Sequence, residues 1–354
     1  MFSNTIIFYS FLLLLTLIGS SDSHAEGNES ENNDTNILVE VDDNDILGLA
    51  YQIPIREQIG APILDILRRG LKDAIREGAD IVILDMDTPG GELGVTLEIM
   101  EEIIENLGKF KGNIITYVND EAISAGAYIA IASSEIAFSP KSQIGAAEAV
   151  SGGGANIDTS MKRKINSYLK AKIRNYAGEH RYRSQIMSAM MDANESLIIE
   201  GKPLTTSSGN LIKKPGELLT LTGGEACTLY GSPPVPLLGI GVYESVEEIL
   251  DDRLGKGNWE LKKMEINWAE EAGIWLNGIA PIILSIGLVC IFVEFKTPGF
   301  GIFGVVGLLL LLIFFGSKYV AGLAGQEELL VFLIGTCLVL LEIFLVPGLI
   351  LPGV

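Results

Sequence analysis

Two short stretches of this chain combine residue types at a spacing that fits acyl-transfer chemistry: Ala122-Ile123-Ser124-Ala125-Gly126, and upstream of it Thr88-Pro89-Gly90-Gly91. A serine hydroxyl is a poor nucleophile until a base takes its proton. Small neighbours on both sides let a substrate carbonyl approach that oxygen closely. A helix beginning at Ser124 would aim unpaired N–H groups at developing negative charge, which makes the amide of Ala125 a natural oxyanion donor. The second donor belongs on a Gly-rich turn at a neighbouring strand end, where glycine permits the backbone geometry that points N–H groups into a cleft. Gly91, with Gly90 beside it, is the candidate. Either motif alone is an ordinary turn; their order, separation and strand–turn–helix setting make the pair informative.

The base must come from elsewhere. The chain has 2 histidines. His24 falls in an N-terminal leader, and His180 sits in the charged run Glu179-His180-Arg181-Tyr182-Arg183, which reads as solvated surface. A Ser-His-Asp triad would have to use His180. Scarcity of histidine favours lysine, which becomes a base when desolvation disfavours its ammonium form. Lys162, Lys164, Lys170 and Lys172 share one segment, and composition does not choose among them. Of the 3 cysteines, Cys290 and Cys337 lie in apolar runs, so neither a disulfide framework nor a Cys-rich zinc site can be built. No metal and no cofactor is expected. A net charge of −20 argues against a nucleic-acid partner.

The elements that must position these residues alternate between strand and helix. Leu49 to Ile55 reads as a strand, and Pro62 to Ile75 as a helix burying Ile63, Ile66, Leu67, Leu71 and Ile75. Ile81 to Leu84 is a short buried strand. Leu93 to Leu107 is helical with Leu97, Ile99, Met100, Ile103 and Ile104 inward, and Ile114 to Val118 is a third strand. Ser124 to Ala132 predicts a buried helix and Ile136 to Phe138 a fourth strand. Gly145 to Gly154 reads as a mobile loop, and Lys162 to Tyr176 as a basic helix. Leu219 to Gly231 predicts a strand and a short helix. Val242-Tyr243 predicts another strand, with Ser245 to Leu250 a helix opened by a Ser-x-x-Glu box. This alternation is that of a layered α/β domain, over residues 47–265.

The ends are of another kind. Ile6 to Ile18 is an apolar run followed by Ser23-His24-Ala25, a signal peptide over residues 1–25. No Lys or Arg precedes the run, so an uncleaved anchor is the alternative. Residues 26–46 are acidic and Asn/Ser-rich, a disordered linker by composition. Residues 272–354 hold three membrane-spanning candidates: Ala272 to Val293, Thr297 to Ser317, and Leu329 to Val354 interrupted only by Glu342. The expected setting is therefore a lipid bilayer crossed more than once, with the α/β domain outside the cytoplasm. Val293-Glu294-Phe295-Lys296-Thr297-Pro298-Gly299 recurs as Leu341-Glu342 through Pro347-Gly348. The first copy leads into a Gly-rich apolar helix, so a further helix is expected after the second and the C-terminus is read as incomplete.

From about residue 48 onward the chain resembles the membrane-bound serine proteases of the NfeD family, which belong to the ClpP class. The matching stretches are Leu84 to Gly91, Ala122 to Ala130, Ser142 to Ala146, Gly216 to Thr222 with Glu225-Ala226, and Glu294…Pro298-Gly299-Phe300-Gly301. The resemblance implies a ClpP/crotonase-like fold and a Ser–Lys dyad. The serine maps onto Ser124. The lysine precedes an Ile and a Tyr-containing helix, which matches Lys164-Ile165-Asn166-Ser167-Tyr168 and ranks Lys162 second. A downstream acidic position corresponds to Asp192. Stomatin-like (SPFH) membrane proteins are the implied partners and their apolar segments the implied substrates, with a homo-oligomer, dimer or larger, as the working form. Asn119-Asp120-Glu121 departs from the Gly/Ala-rich approach to the serine that family members often have. The soluble β-barrel that ends the family's long forms has no counterpart in this sequence. Two other functions compete: a non-catalytic scaffold for stomatin-like proteins, and an acyl-CoA enzyme of the crotonase type. The leader and the apolar tail disfavour the latter, because CoA esters are cytosolic.

Overall fold

The computed structural model describes residues 48–150, 158–178, 180–206, 208–296, 301–320 and 334–335. The leader, the acidic linker, residues 151–154 of the expected mobile loop and all but residues 334–335 of the third membrane candidate lie outside them.

The domain begins β1 (Leu49–Arg56), α1 (Ala61–Glu77), β2 (Ile81–Thr88), α2 (Leu93–Asn106), β3 (Ile114–Ile123), α3 (Ala125–Ala132), β4 (Glu135–Phe138) and β5 (Gln143–Gly145). After α4 (Thr159–Tyr176) and α5 (Arg183–Met191) come a small hairpin of β6 (Ile198–Ile199) and β7 (Lys202–Pro203), then β8 (Thr220–Thr222) and α6 (Gly223–Ala226). A second small hairpin, β9 (Leu229–Tyr230) with β10 (Val235–Pro236), precedes β11 (Gly241–Val242), α7 (Val246–Leu254) and β12 (Glu260–Lys263). Two long helices follow, α8 (Trp268–Lys296) and α9 (Ile302–Val320).

The main sheet runs β11-β4-β3-β2-β1-β12, and every pair along that path is parallel. β5 adds to β3 in parallel and β8 to β5 antiparallel. Parallel strands are covered on both faces and read as continuous apolar runs. β2 is the example: Val82, Leu84 and Met86 join the core shared with α1, α2 and α3, while Ile81 and Ile83 face α7. α1 buries Ile63, Ile66, Leu67 and Leu71 as its spacing predicts, but Ile75 near its end is 39% exposed, beyond the reach of the sheet. The Ser-x-x-Glu box opens α7 as expected, with the Glu248 amide donating to Ser245 Oγ at 3.3 Å.

Besides the short β5, β6, β7 and β10, the elements α5 and β12 escape a sequence reading. α5 buries Arg183, Ile186, Met187, Ala189, Met190 and Met191 around most of its circumference, so it has no polar stripe to set a period. β12 carries one apolar residue in Glu-Leu-Lys-Lys and joins the sheet by backbone pairing to β1.

Among the described residues, Trp268–Glu294 is the helix long and apolar enough to cross a membrane, and Ile302–Ser317 is a shorter apolar helix. Ile282, Ile286, Val289 and Phe292 on α8, and Phe303 and Leu309 on α9, are exposed, as a lipid-facing surface requires. The Glu of the first Glu…Pro-Gly copy has a local purpose. Glu294 Oε1 accepts from the Gly301 amide at 2.5 Å and Oε2 from the Gly304 amide at 2.9 Å, satisfying N–H groups that the first turn of α9 leaves open. Glu294→Ala is expected to cost the α8–α9 hairpin about 1 kcal/mol, read as a lower denaturation midpoint in detergent micelles.

Candidate active site

Strands β2 and β3 pair in register up to Met86 with Val118, and then shift, so that Thr88 stands opposite Ala122. The two extra residues on β3 carry its end forward until Ser124 lies against the turn after β2. Gly90 sits there at φ 115, a conformation that favours glycine. A Cβ on Gly90 would lie 2.7 Å from Ser124 Cβ and 3.2 Å from Ser124 Oγ. The turn is fastened from outside by Ile59. Its N–H donates to Gly90 O at 2.8 Å, and its O accepts from the Glu92 amide at 3.0 Å. At Gly91 the approach is so close that a Cβ would stand 2.0 Å from Ile59 O. Thr88 Oγ1 takes the Gly90 N–H at 3.1 Å and donates to Glu57 O at 2.5 Å. The Gly91 N–H has no acceptor among the described residues.

Ser124 connects β3 directly to α3. Its own N–H donates to Gly145 O at 2.9 Å, and its carbonyl accepts the Ala127 amide at 3.1 Å, closing the first turn of the helix. The price of that junction is a backbone at φ 54, ψ −111, a strained geometry for a residue with a Cβ and worth about 1–3 kcal/mol. The Ala125 N–H opens the helix without a partner among the described residues, and Ser124 Oγ forms no hydrogen bond among them. An unengaged hydroxyl therefore stands against Gly90 and next to the open Ala125 N–H, and the open Gly91 N–H follows Gly90 in the same turn. Such an arrangement can hold a tetrahedral oxyanion.

All eight residues of α3 are buried. Its far end is held by a residue the sequence did not single out. Arg183, 1% exposed, donates from Nη1 to Ile131 O at 3.2 Å and Ser133 O at 2.7 Å, and from Nη2 to Ser134 O at 3.0 Å. A cation at a helix C-terminus complements the helix dipole, although burial pushes this guanidinium down to about 10. His180 stands at the same end, where burial, with Arg183 close by, holds its imidazole below the usual range. An eight-residue helix is about 12 Å long, so His180 and Ser124 occupy opposite ends of it and form no triad.

The four lysines are all on α4 and differ in what they meet. Lys162 pairs with Glu148 at 2.8 Å. Lys170 pairs with Asp192 at 3.3 Å and Glu195 at 3.1 Å. Lys172 is held by Glu101 and lies against the rings of Tyr168 and Tyr176. Lys164 is exposed and has no ion pair or hydrogen bond among the described residues. The inward face of α4 carries Asn166, Leu169 and Ile173. Helical phase puts Lys162 on that face and Lys164 roughly opposite. The fold thus brings Ser124, Gly90, Gly91 and Ala125 together, and leaves Lys164 outside hydrogen-bonding range of Ser124 Oγ. Asp192 serves Lys170 and the Asn194 amide; burial opposes its charge, yet these partners hold its carboxyl below the usual range. No group of three or more His, Cys, Asp or Glu placed to hold a metal occurs among the described residues.

Gly90→Ala tests the turn. A methyl there meets Ser124 and must also adopt a conformation that suits glycine. The reactivity of Ser124 toward a fluorophosphonate is expected to fall by at least about a hundredfold, measured as the labelling rate of the full chain.

With the geometry in hand, likeness to known proteins is informative. Residues 49–234 match the family model described as the NfeD1b N-terminal domain, and residues 278–354 match the NfeD integral membrane domain. The membrane protein NfeD1b of Bacillus subtilis (strain 168) is 32% identical over 305 residues, covering 85% of this chain and 63% of that protein. The membrane-bound protease PH1510 of Pyrococcus horikoshii is 24% identical over 273 residues, covering 75% of this chain and 57% of that protein. The chain therefore spans 63% and 57% of the length of these two relatives. Among solved structures, a mutant of the 1510-N membrane-bound stomatin-specific protease in complex with a substrate peptide superposes with a TM-score of 0.50 at 22% identity, covering 65% of this chain and 97% of that one. That likeness is one of fold: a mixed α/β sheet domain.

Proposed function

The chain belongs to the NfeD family, and from that premise we propose that this membrane protein is a serine endopeptidase whose nucleophile is Ser124. The observation that carries the reading is the junction of β3 and α3. A strained serine with an unengaged Oγ lies against a glycine turn, and the N–H groups of Gly91 and Ala125 are left open beside it.

In the proposed reaction Ser124 Oγ attacks the scissile carbonyl, and its proton passes to a neutral lysine amine. The tetrahedral oxyanion rests on the Gly91 and Ala125 amides. The lysine returns the proton to the leaving amine, and water hydrolyses the acyl-enzyme by the same route. Lys164 is the proposed base, since it alone of the four α4 lysines is not engaged by a carboxylate among the described residues. It must be delivered to Ser124 by movement of α4 or by a second copy of the chain, which fits a homo-oligomeric working form. Catalytic hydrogen bonds commonly tighten only when substrate binds.

The protease domain is assigned to residues 47–265 and lies outside the cytoplasm. In this reading residues 1–25 are a signal peptide, and helices within 272–354 anchor the domain at the bilayer. Apolar peptide segments are the proposed substrates. One relative, named a membrane-bound protease and, for its 1510-N part, a stomatin-specific protease, makes stomatin-like membrane proteins the proposed source. The test is to label the full chain in nanodiscs with a fluorophosphonate and map the adduct. Modification at Ser124 is expected; a folded chain that takes no label there refutes the reading.

One observation favours a second reading, a scaffold for stomatin-like proteins without catalysis: among the described residues of one chain, no lysine is hydrogen-bonded to Ser124 Oγ. In that case a Ser124→Ala chain would support cellular function as well as the wild type.

A further inference from the structure

The turn that presents Gly90 and Gly91 does not stand alone. Ile59 zips to it from both sides, through the bonds to Gly90 O and from the Glu92 amide. The next residue, Gly60, caps α1, its carbonyl accepting the Ile63 amide at 3.0 Å and the Leu64 amide at 3.3 Å. Against Gly60 stands a residue of the first membrane helix: a Cβ on Gly60 would lie 2.5 Å from Asn277 Nδ2 and 3.1 Å from Asn277 Cγ. One turn earlier on α8, a Cβ at Gly273 would lie 3.5 Å from Pro62 Cγ. Two turns earlier, Glu270 forms a two-point pair with Arg69 of α1, at 2.7 Å on each side. The space beside these contacts is open. A cavity of about 440 Å³ between α1, α8 and α9 is lined by Pro62, Asn277, Leu276 and Ile313 among others, and by none of the residues assigned to the oxyanion hole. The seat of α8 on α1 at this level is therefore made by a few contacts, and Asn277 on Gly60 is the one nearest the turn.

We propose that Asn277 is a positioning residue for the oxyanion hole: by filling the space at Gly60 it sets the start of α1, hence Ile59, hence the Gly90–Gly91 turn that faces Ser124. The first membrane helix is then part of the catalytic apparatus, and displacement of α8 loosens the turn without touching the nucleophile. The inference deepens the serine-hydrolase reading and rests on it. Packed chains of this kind transmit coupling only where each member has little freedom. Here the chain is two hydrogen bonds and one side-chain contact long.

The test uses the full chain in nanodiscs and three variants. Gly60→Ala puts a methyl where Asn277 lies and is expected to lower the maximal rate of fluorophosphonate labelling about tenfold, with the half-saturating probe concentration unchanged. Asn277→Ala leaves a gap and is expected to lower it about threefold. In the double variant the new methyl occupies that gap, and the rate returns to within about twofold of wild type. A merely structural role for Gly60 predicts no rescue. A second readout needs no catalysis: hydrogen exchange in the peptide covering residues 88–93 is expected to accelerate in Gly60→Ala and return in the double variant. Wild-type exchange in Gly60→Ala, or a double variant as slow as Gly60→Ala, overturns the proposal. Absence of labelling in the wild type, with exchange behaving as described, instead overturns the hydrolase reading and leaves the coupling standing.

Discussion

Ser124→Ala is expected to remove serine-probe labelling and peptide cleavage altogether, a loss of at least about 10⁴-fold in kcat/KM, while the chain stays folded and membrane-inserted. Both halves follow from the junction. The hydroxyl makes no hydrogen bond among the described residues, and Ala keeps the Cβ that packs on Gly90. Removing Oγ should change stability by no more than about 0.5 kcal/mol. Ser124→Gly is a sharper companion. The backbone at φ 54 is strained for any residue with a Cβ and comfortable for glycine. Gly at 124 should therefore raise the unfolding midpoint while being as inactive as the alanine variant. A gain in stability bought with the nucleophile is the signature of strain kept for function. Residual cleavage in either variant above a buffer blank would sink the assignment.

The second large effect separates the lysines. Lys164→Ala is expected to lower the rate by about a thousandfold, and Lys162→Ala by less than about tenfold. Lys162 is engaged by Glu148 at 2.8 Å, so its loss removes an ion pair at the domain surface, of the kind worth about 0–1 kcal/mol. Lys164 has no such duty among the described residues, and its side chain is open to solvent. The reverse order of effects would assign the base to Lys162 and to the inward face of α4. Mixing Ser124→Ala and Lys164→Ala chains adds geometry to chemistry. If the lysine crosses from a second copy, mixed assemblies regain a fraction of wild-type activity; if it acts within one chain by movement of α4, the mixture stays as inactive as its parts. The counted product of a fixed peptide ester reports either result.

Much of this architecture was open to a reading of residues. The apolar runs of β1, β2 and β3 and the spaced apolar residues of α1 and α2 announced an alternating α/β domain, because burial on two faces and burial on one stripe leave different periods in a sequence. Ser124, Ala125, Gly90 and Gly91 were legible for the same local reason: small residues and glycines mark places where backbone must approach something closely. β12 and α5 were not legible. The first is held by backbone hydrogen bonds that any side chains could accompany, and the second is buried around most of its surface. Arg183 left no local signal, since its partners are the carbonyls of residues some fifty positions earlier, at the end of α3.

What the sequence by itself determined is the set of parts: a serine on a strand–helix junction, a glycine turn upstream of it, a family of lysines on one helix and an apolar tail suited to a membrane. These are properties of short stretches, and the forces that fix them act within a few residues. Only the tertiary structure decided how the parts meet. The shifted register of β2 on β3 carried Ser124 against Gly90, Ile59 held the turn from an adjacent strand end, and α8, more than two hundred residues downstream, came to rest on Gly60. Which face of α4 a lysine occupies was decided in the same way, by what Asn166, Leu169 and Ile173 could bury. Contacts between distant segments are set by packing of the whole core, where side chains compete for a space that no single stretch of sequence encloses.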